Sequence, residues 1–439
     1  MAADYRRNAI PPRVKVIGGG LAGLAATARL ADAGASVDLH EARGFLGGRA
    51  ASIPADPEVP DSARIDNCQH VLLRCCTSLM DFYRRCGVQD KIVFHEELHI
   101  VRPGGEIDTI RADALPFPFH LLRSLLAMRA IGWADKLSIA KLLLAMKLQR
   151  SRQSFDLDSI TFDEWLHGMG ATTLSVARFW RPFVVSALNE MPERAAAGAA
   201  MQVFCEGLLG SRDSYQMGVP AVPLADLYDA ALAGHFGPSV RLHLRSRVRR
   251  VNPLDREADY HVLAVPFDRV AKLVPELGLQ RQLQRFEASP ITGIHLWFDR
   301  PIMDLPHAML TDGDLQWVFN KGDGYYLGVI SASRAQLTLP SGFIVAPALR
   351  QLRETFPKAR GARLEHSRVI KETRATYAAR PGLERHRPGP ATALPNVFLA
   401  GDWTATGWPA TMEGAVRSGY RAAEAVLAAA GVPRTKSAP

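Results

Sequence analysis

VKVIGGGLAGLAAT, Val14 to Thr27, decides the fold. Val14 and Val16 alternate as a short buried strand requires, and Gly18, Gly20 and Gly23 follow in G-x-G-x-x-G register as the chain turns into a helix. In that motif the first glycine makes the tight turn, the second lets a pyrophosphate approach the backbone, and the third lets helix and strand pack closely. Leu21 and Ala22 open the helix, whose amino end then faces an anion. Gly34 reads as the helix stop, and Ser36 to Glu41 as a second strand. Glu41 stands about 20 residues beyond the glycines, where an acid meets a ribose hydroxyl and a 2′-phosphate would be repelled. Strand, glycines, helix, stop, strand and acid occur in the order the motif needs, so the sequence predicts an α/β, Rossmann-like dinucleotide domain.

A second nucleotide signature closes the chain: FLAGDWTATGWPATMEGAVRSG, Phe398 to Gly419. Asn396 to Ala400 reads as a buried strand, with Gly401 and Asp402 at its carboxyl end, where α/β sheets bind ligands. Asp402 is expected to take a ribityl hydroxyl. The following helix, Met412 to about Ala430, is stopped by Gly431 and Pro433 and aims its positive end at a flavin pyrimidine. Two such signatures at opposite ends of one chain point to FAD, not to a nicotinamide.

Between them stands EARGFLGGRA, Glu41 to Ala50. Its E-A-R-x-x-x-G-G-R pattern, carrying Glu41, Ala42, Arg43, Gly48 and Arg49, resembles the extended fingerprint of the flavin-containing amine oxidase and carotenoid desaturase superfamily. The resemblance implies a glutathione-reductase-type FAD domain with an inserted α+β substrate domain, and Arg49 near the pyrophosphate. It also implies that backbone near Val248 meets the adenine and backbone at Thr411 and Met412 meets the flavin ring. IDNCQHVLLRCC, Ile65 to Cys76, together with the GDWTATG-x-PATMEGAV ending, is similar to the hydroxysqualene dehydroxylases over nearly the whole chain. One stretch departs from the superfamily. SRVRRVNPLDREADYHVLAVP, which begins beside Arg245 and ends at Pro266, is short by about a hairpin where a strand of the FAD domain is expected.

That family removes an allylic hydroxyl from a C30 polyprenyl substrate by hydride transfer from reduced flavin N5, which requires an external electron donor. Asp66, His70 and Glu413 are the candidate acids for the leaving hydroxyl, each with a plainer reading. Asp66 and His70 also suit hydrogen bonds that hold their loop, and Glu413 also suits pairing with Arg417 one helical turn on. Trp403, Trp408 and Pro409 are expected to wall the pocket near the ring. Three rivals stay open: a carotenoid or phytoene-type desaturase, an amine oxidase, and a non-catalytic isoprenoid-binding protein. The amine oxidase is disfavoured because the terminal motif has neither a flavin-linking cysteine nor paired cage aromatics.

Composition sets the outer bounds. A chain of 439 residues with 47% hydrophobic and 22% charged residues buries a large core and divides into two or three domains. We expect a discontinuous FAD domain over 1–77, 207–275 and 394–439, with the substrate domain over 78–206 and 276–393. The first insertion reads as mostly helical, and the second carries strands near Ile291–Phe298 and Gln316–Asn320. Met1 to Pro12 has no signal-peptide centre, and the five cysteines form no C-x-x-C pair, so they are expected to be reduced core residues of a cytoplasmic protein. No apolar run reaches the roughly 18 residues that span a bilayer. Phe119 to Arg150 instead holds six Lys or Arg against Asp135, with Leu122, Leu125, Leu126, Ile139, Leu142, Leu143 and Met146 at helical spacing. It reads as a basic amphipathic surface for the inner face of an anionic membrane. The net charge of +9 suits such a surface better than nucleic acid, because basic runs with interleaved aromatics are missing.

Overall fold

The computed structural model describes residues 11–56, 58–150, 156–228, 236–254 and 257–432. The amino-terminal ten residues, the Arg434–Pro439 tail, Pro433, and two residues of the shortened segment, Asp255 and Arg256, lie outside the described residues.

The opening motif folds as its spacing requires. Arg13–Ile17 forms a strand with Val14 and Val16 buried, and Leu21–Asp32 forms the helix after it. That helix ends in a Schellman arrangement: Gly34, at φ +84°, donates to the Ala31 carbonyl, and Ala35 donates to that of Leu30. The chain then enters the Ser36–His40 strand. Five parallel strands make the sheet, in the order 240–243, 36–40, 13–17, 260–263, 397–399. The chain reverses its direction of progress beside Arg13–Ile17, so a crevice opens at the carboxyl ends of the central strands.

The first helix is two-thirds alanine and leucine and is buried over most of its length. The terminal helix, Met412–Ala429, packs directly against it, because Gly419 lets the backbones approach. A Cβ at Gly419 would lie 2.2 Å from the Ala22 carbonyl oxygen. Buried Arg29 is neutralised across the same contact by Glu424 at 2.7 Å. Leu79, Phe82 and Tyr83, from the Thr77–Arg85 helix, complete this core.

A second sheet of seven strands runs in the order 364–377, 288–298, 325–331, 317–320, 307–310, 98–102, 106–110. The Ala288–Phe298 and Trp317–Asn320 strands match the alternation in the sequence. The helical insertion adds a hairpin to this sheet: Leu98–Arg102 and Glu106–Ile110 turn through Gly104 and Gly105, both at positive φ. That turn chemistry marks a hairpin which the surrounding helical spacing hides. Helices of residues 133–208 stack on one face of the sheet around an aromatic core that includes Phe162, Phe179, Trp180 and Phe204. All five cysteines carry free thiols, and four of them are buried.

The shortened segment differs from expectation. The strand is Val240–His243, and residues 246–252 are irregular rather than the strand that the Arg245–Val251 stretch suggests. Arg245 sits at φ +54°, which ends extended pairing there. The chain instead runs beside the Glu41 segment, with Arg245 and Ser246 donating their amides to the carbonyls of Arg43 and Glu41.

Candidate flavin site

A cavity of about 850 Å³ opens at the carboxyl ends of the parallel strands and runs between the two signatures. Its walls include Gly18, Gly20, Leu21 and Ala22 from the first turn, Glu41, Ala42, Arg43, Gly48 and Arg49 from the fingerprint, and Val248 from the irregular segment. Gly401, Asp402, Trp403, Thr411 and Met412 from the closing motif line it too. The tertiary fold thus gathers residues from three distant stretches into one continuous groove.

The glycines divide by cause. Gly18 lies at φ +112°, and a Cβ there would be 2.2 Å from the Ala264 carbonyl oxygen. Gly23 does not reach the cavity. Its absent Cβ would be 1.8 Å from the Gly18 carbonyl oxygen, so it serves helix packing alone. Gly20 has neither reason. Its φ of −78° suits any residue, and an added Cβ would meet nothing closer than the Gly48 Cα at 3.6 Å, an ordinary contact. Space for a ligand is what a side chain at Gly20 would fill.

The helix behind Gly20 has no side-chain cap and no acid in its first turn. Its free amides and positive end suit a phosphate group. Glu41 is buried, with one carboxylate oxygen accepting from the Gly19 amide and the other from the Arg43 amide, each at 2.8 Å. This holds the acid rigidly at the wall, with lone pairs left for ribose hydroxyls. At the far end the Gly401 amide donates to Ser418 Oγ at 2.7 Å, and Asp402 receives Arg49 Nη2 at 2.5 Å. The terminal helix is capped by Thr411, whose hydroxyl accepts from the Gly414 amide at 3.0 Å. These groups fit an FAD laid from Glu41, by way of Gly20 and Arg49, to Asp402 and Met412.

The three candidate acids separate. Of them only His70 lines the cavity. Its Nδ1–H donates to the Cys68 carbonyl at 2.9 Å, and burial holds the imidazole below its ordinary pKa, so the ring is neutral near pH 7. Asp66 does not line the cavity; it accepts from Ser52 Oγ at 2.7 Å and from the Leu224 amide at 2.9 Å. Glu413 is fully buried away from the cavity. It accepts from the amides of Ser78 and Leu79 at 3.1 and 2.7 Å, and from Arg417 Nε at 2.5 Å. It caps the Thr77–Arg85 helix, an interaction that joins chain segments far apart in sequence. Asp66 and Glu413 are therefore structural groups, not acids facing a substrate.

The expected aromatic wall is also revised. Trp403 borders the cavity but is nearly all buried, with its indole N–H given to the Val265 carbonyl at 2.9 Å. Trp408 and Pro409 are not on the cavity; the Trp408 ring lies under the Arg417 guanidinium instead, 5.0 Å away. Residues that the sequence did not single out take their place, among them Asn189, Ile291 and Tyr377. Asn189 ends the Arg181–Leu188 helix in the left-handed region, at φ 53°. Its amide donates to the Ser289 carbonyl and to Thr376 Oγ1, both at 3.0 Å. An asparagine directly after an apolar helical run was a signal for that turn, though not for its place on the cavity.

A Rossmann-type sheet with such a groove, closed by the carboxyl-terminal helix, defines an FAD-dependent oxidoreductase. The chain belongs to the flavin containing amine oxidoreductase family, whose model matches residues 21–427. It is 30% identical to the hydroxysqualene dehydroxylase of Rhodopseudomonas palustris, over 95% of this chain and 98% of that one. It is 27% identical to the "Probable zeta-carotene desaturase" of Synechococcus elongatus, over 95% and 99%. Among solved structures, a putrescine oxidase variant superposes with a TM-score of 0.72 at 18% identity, covering 95% of this chain and 99% of that one, a likeness of fold alone.

Proposed function

We propose that this enzyme reductively removes the hydroxyl of hydroxysqualene to give squalene. The allylic C–O bond breaks, the hydroxyl leaves with a proton as water, and a hydride takes its place on carbon. Reduced flavin, when bound, supplies the hydride from N5, and an external electron donor restores it. The observation that carries the substrate is the full-length similarity to hydroxysqualene dehydroxylases, 30% and 28% identical to this chain.

The chain's own residues bind, orient and exclude water. Glu41, Gly20 and Asp402 would hold the ends and middle of the cofactor, so the reacting carbon would have to be delivered to one place. Val71, Ala187 and Ile291 give the cavity apolar wall suited to a hydrocarbon. His70, held neutral by burial, gives its Nδ1–H to the Cys68 carbonyl and so fixes its own loop at the cavity wall. Attachment to the membrane in which such a substrate dissolves belongs to this reading.

A carotenoid-type desaturase is the second reading, favoured by the similarity to the zeta-carotene desaturase of comparable extent. The two run the redox chemistry in opposite directions. Anaerobic incubation of the photoreduced enzyme with hydroxysqualene is expected to give squalene and reoxidised flavin. No squalene, with phytoene or zeta-carotene desaturated by the oxidised enzyme, would replace the first reading with the second.

A further inference from the structure

The basic segment carries two apolar faces, not one. In the Trp133–Arg150 helix Ile139, Leu142 and Met146 are fully buried in the aromatic core, so they are not a lipid-facing surface. Lys136 is buried as well and donates to the Leu126 carbonyl at 2.6 Å, so it is not a surface cation. On the opposite side Trp133, Leu137 and Leu144 are 73%, 74% and 61% exposed. At about 100° per residue these three lie within about 40° of one another, roughly half a turn from the buried face. Lys141 and Lys147 fall about 60° to either side of this stripe.

The stripe continues onto neighbouring chain. Lys147 Nζ lies 4.4 Å from the centre of the Phe117 ring, and Phe117 and Phe119 are exposed. Lys136 bridges Trp133, 4.8 Å from its ring, to the end of the Leu122–Ala127 helix, where Leu126 is exposed. Six large apolar side chains thus form one outward patch. Arg129, Lys141 and Lys147 are exposed beside it and have no carboxylate partner among the described residues, unlike Arg123, which pairs with Asp113 at 3.3 Å. No helix among the described residues is long and apolar enough to cross a membrane.

We propose that this patch inserts into the headgroup layer of an anionic membrane, with Trp133, Leu137, Leu144, Phe117, Phe119 and Leu126 below the phosphates and Arg129, Lys141 and Lys147 among them. Apolar side chains flanked on both sides by unneutralised cations match an anionic lipid surface. A protein partner would have to supply carboxylates around a greasy centre. The choice of lipid rests on the polyprenyl substrate proposed above. The buried face of the helix shares its core with Phe204, and the adjoining Gln202 amide donates to the Gly407 carbonyl of the closing motif, so the patch-bearing helix is joined to that motif at a point outside the cavity lining.

The test is sedimentation of FAD-loaded protein with phosphatidylcholine vesicles, with and without phosphatidylglycerol. The double variant Leu137→Glu, Leu144→Glu is expected to lower partitioning at least about 100-fold, since each buried leucine is worth about tenfold or more. The double variant Lys141→Glu, Lys147→Glu is expected to lose at least about 25-fold on anionic vesicles only, in a salt-dependent way. Unchanged sedimentation of both variants overturns the proposal. So does self-association of the wild type without lipid that Leu137→Glu, Leu144→Glu abolishes, because the patch is then an interface between copies. Turnover of detergent-dispersed hydroxysqualene is measured on the same samples. Vesicle binding without squalene formation leaves the surface standing and removes the substrate, and squalene formation without vesicle binding does the reverse.

Discussion

Gly20→Ala and Gly23→Ala add the same methyl group three residues apart, and the structure assigns them opposite consequences. At Gly20 the backbone is already in an ordinary extended conformation, and the new Cβ meets only the Gly48 Cα at 3.6 Å. Alanine is a poorer helix cap than glycine by roughly 1 kcal/mol, while restricting the unfolded chain returns about 0.4–1 kcal/mol, so the two nearly cancel. The flavin-free protein should keep its stability to within about 1 kcal/mol. At Gly23 the Cβ falls 1.8 Å from the Gly18 carbonyl oxygen, which no rotamer change relieves. The gain of about 1 kcal/mol in helix propensity is outweighed by backbone displacement, and a net loss of about 2 kcal/mol or more is expected. For FAD the order reverses, because the methyl added by Gly20→Ala occupies ligand space. An overpacking cost of about 1–3 kcal/mol corresponds to roughly 5- to 150-fold weaker binding. Stability is read by denaturant unfolding of deflavinated protein, since bound flavin would itself add stability, and affinity by titration of FAD fluorescence. Wild-type affinity in Gly20→Ala, or equal destabilisation by the two variants, would refute the assignment of Gly20 to the ligand.

Three more expectations follow from the same geometry. Glu413→Ala removes the acceptor of two buried amides and strands Arg417, so unfolding should come about 2–4 kcal/mol earlier; a variant with wild-type stability and no turnover would instead return Glu413 to the chemistry. Asp402→Ala should loosen FAD and leave Arg49 unpaired, seen as flavin lost on gel filtration, and full retention would contradict the ribityl contact. Buried histidines make the fold acid-sensitive: burial and neighbouring cations hold His295 at about 4, and burial with the His95 and His99 rings holds His307 at about 3. Between pH 6.5 and 4 the unfolded chain binds protons that these rings refuse, so stability falls with pH by about 3 kcal/mol for each. His295→Gln with His307→Gln should flatten that slope in denaturant titrations, and an unchanged slope would assign the loss elsewhere.

Local pattern alone determined the nucleotide half. A strand–glycine–helix–strand–acid order occupies fewer than thirty residues from Val14 to Glu41, and each part is dictated by contacts between near neighbours, so Gly18, Gly20 and Glu41 stand in the structure where their spacing puts them. The closing strand and helix read equally well for the same reason. The tertiary structure decided everything that depends on which face of an element meets which partner. Glu413 looked like an acid beside a flavin motif, yet it points back to cap a helix that begins at Thr77. Trp408 looked like pocket wall and turned away under Arg417. In the Trp133–Arg150 helix the residues at ideal amphipathic spacing went into the core, and the exposed apolar residues were those the periodicity passed over. Helical spacing reports that a side chain shares a face with others three or four residues away. It carries no information about whether that face is covered by protein, by cofactor or by lipid, because that is set by segments that only the tertiary fold brings against it.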